Sequence, residues 1–394
     1  MIYLDYHATT LCDPRVVEAM LPYFGVSFGN PSSTIHEAGQ NALSAVDTAR
    51  QQVADLIGAR PGAIIFTAGA TESNNLAILG LALGTQAGYH LGVNTQPKRR
   101  RIVTTAIEHK SVLGPCHALE QEGYEVVTLP VRSDGRVDLE AARGAIADGT
   151  LLVAVQAANN EIGTIQPIAE IAEMAHAKGA LILCDAAQAV GKIPVDVEAW
   201  DVDLLSISAH KMYGPKGVGA LYIRGGAYGL PIKPLMYGGG QERELRPGTL
   251  NVPGIVGFGA ACALSTELML VEAKRVSSLR DSLEKILIAA LPHVRRNGAL
   301  DNRLPGNSSI TFPELDAEAL IANLPNIAVS TGSACTSGAP EPSHVLTAIG
   351  LDRQDAYSTV RIGIGRFTTE SEIALTTKAI VEAAERLTRI QALV

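Results

Sequence analysis

A long hydrophobic run is the first thing missing from this chain. Ala and Gly interrupt its 47% hydrophobic content across 394 residues, and no unbroken apolar stretch approaches the roughly 18 residues of a membrane span. The opening segment MIYLDYHATT has no basic stretch ahead of an apolar one and is not an Arg/Ser-rich presequence. A cytoplasmic protein off the membrane is expected. An excess of basic charge is also missing. The net charge is −8, which makes a nucleic-acid groove a poor expectation. The only basic run, Lys98 to Arg101, reads as a solvated loop. Paired cysteines are missing too. Cys12, Cys116, Cys184, Cys262 and Cys335 are odd in number and form no CxxC, which argues against a disulfide framework or a zinc site and for a reducing compartment. No G-x-G-x-x-G follows the first strands, which sets a dinucleotide-binding protein aside. Internal repeats and low-complexity segments are absent as well.

What is present is alternation. Asp13-Pro14 opens a short helix. HEAGQNALSAVDTARQQVADLIGA is a long one, because Ala42, Val46, Ala49, Val53 and Leu56 recur at spacings of three and four. Buried strand, glycine turn and Ala/Leu-rich helix follow in AIIFTAGATESNNLAILGLALG. RIVTTAIEH, YEVVTLPV, LLVAVQAANNEIG and ALILCDAAQAVG then read as strands, with helices between them. Short strands of continuous apolar character, alternating with helices, signal a parallel sheet covered on both faces. After about Gly254 the pattern changes. A long helix leads away to a smaller α+β portion, with strands near Ser308 to Phe312, Ala328 to Ser330 and Thr359 to Ile364 and a last helix opening at Thr369. The chain is long enough for two domains. We expect a large domain at 16–255 and a small one at 256–394 that also recruits residues 1–15.

Polar residues collect where apolar strands end. The run Leu204, Leu205, Ile207 breaks into Ser208, Ala209, His210, Lys211 and a glycine-rich loop. Open α/β sheets place their ligands at such strand ends. A lysine there is either a surface residue or a nucleophile made competent by its surroundings. Gly69-Ala70-Thr71-Glu72-Ser73 joins a strand to a helix; it is either a plain turn or an anion site on the helix N-terminus. Asp185 ends LILC as a helix cap or a paired carboxylate. Arg361, between Val360 and Ile362, needs an anionic partner, either an internal acid or a ligand. Cys335 sits among small residues and glycines in STGSACTSGAPEP, a setting that suits an exposed nucleophile.

Taken together, GATES, Asn159-Asn160-Glu161, Asp185-x-x-Gln188, Ser208-x-His210-Lys211 and the TGSACTS stretch around Cys335 resemble the class I cysteine desulfurases of the IscS/NifS type. These are fold-type I pyridoxal phosphate enzymes of the class V aminotransferase family. The resemblance spans nearly the whole chain, with the motifs in family order. It implies a large domain with a mostly parallel seven-stranded sheet covered by helices, plus a small C-terminal α+β domain. It implies pyridoxal 5'-phosphate as cofactor. Ala70, Thr71, Ser208 and His210 would contact its phosphate, and Thr249 would reach that of the neighbouring subunit in a homodimer. Asp185 would face the ring nitrogen and Gln188 the phenol oxygen. His109 would stack on the ring and act in proton transfer, and Asn160 would contact cofactor and substrate. Lys211 would anchor the cofactor, Arg361 would take the substrate carboxylate, and Cys335 would take the sulfur. The implied reaction converts L-cysteine to L-alanine with a persulfide on Cys335, destined for a sulfur-acceptor protein such as an iron–sulfur scaffold. A cystine or selenocysteine lyase on the same scaffold is the alternative. The polar segment from Gly84 to Arg101 is longer than in many relatives, and Leu11 stands after HATT where proline is usual.

Overall fold

The computed structural model describes residues 1–86, 99–332 and 341–392. In chain order the first elements are β1 (Ile2–Tyr3), α1 (Pro14–Met20), α2 (Glu37–Leu56), β2 (Ile64–Thr67) and α3 (Ala70–Gln86). Then come β3 (Arg101–Thr105), α4 (Lys110–Gln121), β4 (Glu125–Leu129), α5 (Leu139–Ala145), β5 (Thr150–Gln156), α6 (Ile168–Ala177) and β6 (Leu181–Asp185). After them lie β7 (Leu204–Ser208), β8 (Gly219–Ile223), α7 (Val252–Ala290), β9 (Arg295–Arg296) and β10 (Asn307–Thr311). The last are α8 (Ala317–Ala322), β11 (Ile327–Ala328), β12 (Ser330–Thr331), α9 (His344–Ala348), α10 (Arg353–Tyr357), β13 (Thr359–Gly363) and α11 (Glu370–Gln391).

The large sheet has seven strands in the order β2-β8-β7-β6-β5-β3-β4. All its pairings are parallel except those of β8, which runs antiparallel to both neighbours. The central strands are buried along their whole length, as strands covered on both faces must be. Side chains alternate between two cores. Ile182 and Cys184 of β6 pack with α2, α6 and the start of α7, whereas Leu181 and Leu183 pack with α3 and α4. β8 had no counterpart in the sequence reading, because its Gly219-Ala220 start continues a glycine-rich loop without a break. Its antiparallel course follows from the short connection out of β7, too short for a helical crossover. The arginines of the basic run are engaged locally. Arg99 donates to the carbonyls of Thr150 and Lys178, and Arg101 pairs with Glu125.

α7 serves two cores. Ile255, Phe258 and Cys262 belong to the first core of the large sheet. Val276, Leu279, Leu283 and Leu287 belong to the small domain. The boundary expected at residue 255 falls in its first turn. α7 is long and apolar enough to cross a membrane by length and composition, and 44% of its most apolar stretch is buried against protein. The small domain holds an antiparallel sheet, β12-β13-β10-β9, and a parallel pair, β1-β11. The one strand expected from Ala328 to Ser330 is therefore two, and they serve different sheets. Asp5 bridges Gly363. A Cβ on Gly363 would stand 2.7 Å from the Tyr6 nitrogen, so only glycine admits the N-terminal segment this closely.

Beneath this sheet lies a buried ion cluster. The Glu284 carboxylate of α7 accepts two bonds of 2.8 Å from Arg303, one of 3.2 Å from Arg296 and one of 2.8 Å from Ser308 Oγ. Burial pushes its pKa up, but the Arg303 guanidinium, Ser308 and Arg296 together hold it below the usual carboxylate range. Removing one partner of such a cluster strands the other charge. Glu284→Ala should therefore lower unfolding free energy by about 3–5 kcal/mol at neutral pH, read from urea midpoints. A depressed pKa gives stability that is full above the ordinary carboxylate value and lost as pH falls through the folded one. The gap between variant and wild type should thus be constant near neutrality and shrink below about pH 4.

Candidate active site

The carboxyl ends of the central strands open into one cavity of about 820 Å³. β6 delivers Asp185, which is 6% exposed. β7 ends at Ser208 and tightens into a single 3-10 turn, Ala209–Lys211, which sets His210 and Lys211 at the rim. β2 leads through Gly69 (φ 148°) into α3, so Ala70 and Thr71 form that helix's first turn. β3 leads to His109, the N-cap of α4, whose Nδ1 accepts from the Ser111 N–H at 3.1 Å. Ala70, Thr71, His109, Asn160, Asp185, Gln188, Ser208, His210, Lys211 and Arg361 all line this cavity. Thr249 is exposed and lies outside it. Cys335 lies outside the described residues.

Asp185 is met by three donors: Asn74 Nδ2 at 2.8 Å, the Ala187 N–H at 3.0 Å and Ser206 Oγ at 3.3 Å. Lys211 Nζ donates to the carbonyls of His7 (2.8 Å) and Ala8 (2.6 Å). Gln188 donates from Nε2 to the His7 carbonyl, and its Oε1 accepts from Lys192 Nζ and from His7 Nδ1. Arg361 has an internal acid after all. Its Nη2 donates to Asp5 Oδ1 at 2.9 Å and its Nη1 to the Asn160 carbonyl at 3.2 Å. Its buried Nε has no partner among the described residues, so a ligand carboxylate has a donor left to meet.

Burial shapes the charges here. It holds the His109 pKa down against the pull of Asp185. It brings His210 down to about 4, helped by Lys211 and Lys216. Burial first, then Lys211 and Arg361, push the Lys192 ammonium far below its usual value. The enclosed Glu108 carboxyl is raised to about 8, although Thr105 donates to it at 2.6 Å.

The lining suits a flat heteroaromatic ring that carries a phosphate. A carboxylate stands at one wall, and an amine and a histidine beside it. Another wall has free N–H groups at a helix N-terminus with Thr71, Ser208 and His210. The buried Arg361 Nε and His7 Nε2, both without partners among the described residues, are further signs of a polar occupant.

The family model Aminotransferase class-V matches residues 2–375. The chain belongs to the class-V aminotransferase family. It falls in the IscS/NifS-type branch of those fold-type I pyridoxal phosphate enzymes. It is 49% identical to "Cysteine desulfurase IscS" of Anaeromyxobacter sp. (strain Fw109-5) over 386 residues, covering 98% of this chain and 93% of the relative. It is 47% identical to "Cysteine desulfurase" of Mus musculus, covering 98% and 82%. Among solved structures, a "NIFS-LIKE PROTEIN" superposes with a TM-score of 0.88 at 39% identity over 97% of this chain and 98% of that one. "SspA in complex with cysteine" superposes at 0.80 with 37% identity over 94% and 100%.

Several residues at the class-V site escaped the sequence reading: His7, Asn74, Ser111 and Lys192. His7 lies in the N-terminal segment, where no local pattern singles it out. Asn74 and Ser111 were polar positions inside helices, and that polarity within an Ala/Leu-rich stretch was the available signal.

With its pKa lowered to about 4, His210 is neutral at and above pH 6, so it offers an anion on that wall a hydrogen bond and no charge. His210→Asn should weaken binding of inorganic phosphate to the cofactor-free protein by roughly two- to tenfold, the loss of one neutral hydrogen bond. It should leave the pH dependence between 6 and 8 unchanged. Calorimetric titration at three pH values reads both.

Proposed function

We propose that the chain is a pyridoxal 5'-phosphate-dependent cysteine desulfurase, converting L-cysteine to L-alanine and leaving the sulfur as a persulfide on Cys335. One observation carries the reading. A single cavity gathers a lysine, a buried aspartate, a histidine, an anion-binding helix turn and an arginine with a donor to spare. A cysteine, Cys335, follows β12 in sequence.

The phosphate would sit on Ala70, Thr71, Ser208 and His210. Asp185 would face the ring nitrogen, Gln188 the phenol oxygen and His109 the ring. When bound, the cofactor supplies an electron sink for charge at the substrate Cα. The chain's own residues do the rest. Lys211 anchors the cofactor and then moves the Cα proton as a positioned base. Arg361, with Asn160 beside it, takes the substrate carboxylate. The Cys335 thiolate attacks the substrate sulfur. A sulfur–sulfur bond forms as the Cβ–S bond breaks, and the electron pair left on Cβ takes up a proton to give the alanine methyl group.

The same reading includes a working division into residues 16–255 and 1–15 with 256–394. It includes a homodimer in which Thr249 reaches the neighbour's phosphate. Exposed Phe24, Val26, Phe28 and Ile35 on one short segment support such a partner surface. It also includes a cytoplasmic location away from membranes and a protein sulfur acceptor.

The first test is alanine release from L-cysteine by the purified, cofactor-loaded protein beside Cys335→Ala. The wild type should form alanine and the variant almost none. Equal alanine from both would retire the persulfide and favour a lyase. Lys211→Ala should cut turnover by about 10²–10⁴-fold, the usual range for a positioned acid–base group, and should change the bound cofactor's absorbance.

A further inference from the structure

Asn74 lies in α3 with no exposure, and Ser111 is 6% exposed in α4. Their hydrogen bonds leave little freedom. The Asp185 carboxylate only accepts, so the Asn74 atom facing its Oδ2 at 2.8 Å is the amide nitrogen. The second proton of that nitrogen goes to Ser111 Oγ at 2.9 Å. Ser111 Oγ accepts there, so its own proton is turned toward His109 Nδ1, 2.8 Å away. The Ser111 backbone N–H meets the same nitrogen at 3.1 Å. Two donors thus converge on Nδ1, and a proton on it would face an N–H. The ring's proton belongs on Nε2, which makes no hydrogen bond among the described residues.

We propose that Asn74 and Ser111 are positioning residues that fix His109 as a neutral imidazole protonated on Nε2 and tie that state to Asp185. Asn74 is the pivot: one amide group serves both the carboxylate and the histidine. Protonating the ring requires a proton on Nδ1. That step needs the Ser111 hydroxyl to turn round, breaks its bond to Nδ1, and sets N–H against N–H. His109 therefore offers the cavity a hydrogen-bond donor, and base work falls to Lys211. Other groups act on the ring from each side. Asp185 on β6 favours the charged form. Lys211 after β7, His344 on α9 and Lys110 on α4 oppose it. The neighbouring Glu108 is an enclosed carboxyl with its own partner in Thr105.

What the Nε2–H meets rests on the desulfurase reading, but the tautomer does not. The experiment is therefore ¹⁵N NMR of the histidine-labelled holoenzyme, with the His109 signals assigned by their loss in His109→Gln. The expected wild-type spectrum has His109 unprotonated at Nδ1 and protonated at Nε2 from pH 6 to 9. Ser111→Ala should raise the protonated fraction at pH 6 by about two- to tenfold, one neutral hydrogen bond's worth. The acid limb of kcat/KM should move to higher pH with it. Ser111→Thr, which keeps the hydroxyl, should restore both. A wild-type Nδ1 that carries the proton would overturn the proposal, as would a Ser111→Ala variant that titrates like wild type. The wild-type spectrum alone decides the first point even where the Ala variant does not fold, and it does so whatever reaction the enzyme performs.

Discussion

A carboxylate almost out of water, at the end of the central strand, sets the terms for everything around it. Asp185 at that depth needs donors, because a buried and unmatched carboxylate costs several kcal/mol. Its donors come from three places: Asn74 of α3, Ser206 of β7 and the Ala187 N–H just beyond β6. Meeting that requirement draws α3 against the carboxyl ends of β6 and β7. The same docking brings the first turn of α3 beside Ser208 and His210, which completes the anion wall. One electrostatic need thus builds both the carboxylate wall and the wall at the α3 N-terminus.

The lysine does the corresponding work for the small domain. Lys211 Nζ donates to the carbonyls of His7 and Ala8, and Thr10 donates to the His210 carbonyl from its hydroxyl. The N-terminal segment is therefore stitched to the rim of the large sheet. The same segment starts in β1 beside β11 and places Asp5 against Arg361 and Ser330. The cavity, the N-terminal segment and the small sheet form one unit. β12, which precedes Cys335 in sequence, sits on that unit through Ser330.

Legibility in the sequence follows from how each residue earns its place. The alternating architecture was readable, because parallel strands buried on both faces are continuous apolar runs and their helices are not. Asp185, Lys211 and Ser208 were readable because a polar residue at the end of such a run is anomalous locally, whereas His109 stood out only through the resemblance. His7 was not, since its role comes from a carbonyl and a ring placed by residues some two hundred positions away. Asn74 and Ser111 are polar sites on helices; a polar residue in an Ala/Leu-rich stretch marks them as unusual, but it does not say which partners they meet. The split between β11 and β12 was hidden because both halves of a five-residue run look alike until their partners are known. Thr249 belongs to a second chain in its expected role, so one chain cannot assemble it.

The depressed and raised pKa values of the cavity have a common logic. Lys211, Lys216 and Arg361 line it with basic side chains, and His7, His109 and His210 stand among them. Burial and this crowding keep the three imidazoles neutral around pH 7, while Glu108, enclosed next to His109, is held toward its protonated form. The groups that do carry charge are then few and fixed in position. Such a site can bind an anionic ligand through hydrogen bonds and a helix terminus without its own histidines changing sign across the neutral range. The geometry and the charge state are therefore set by the same burial, and neither could be altered without the other.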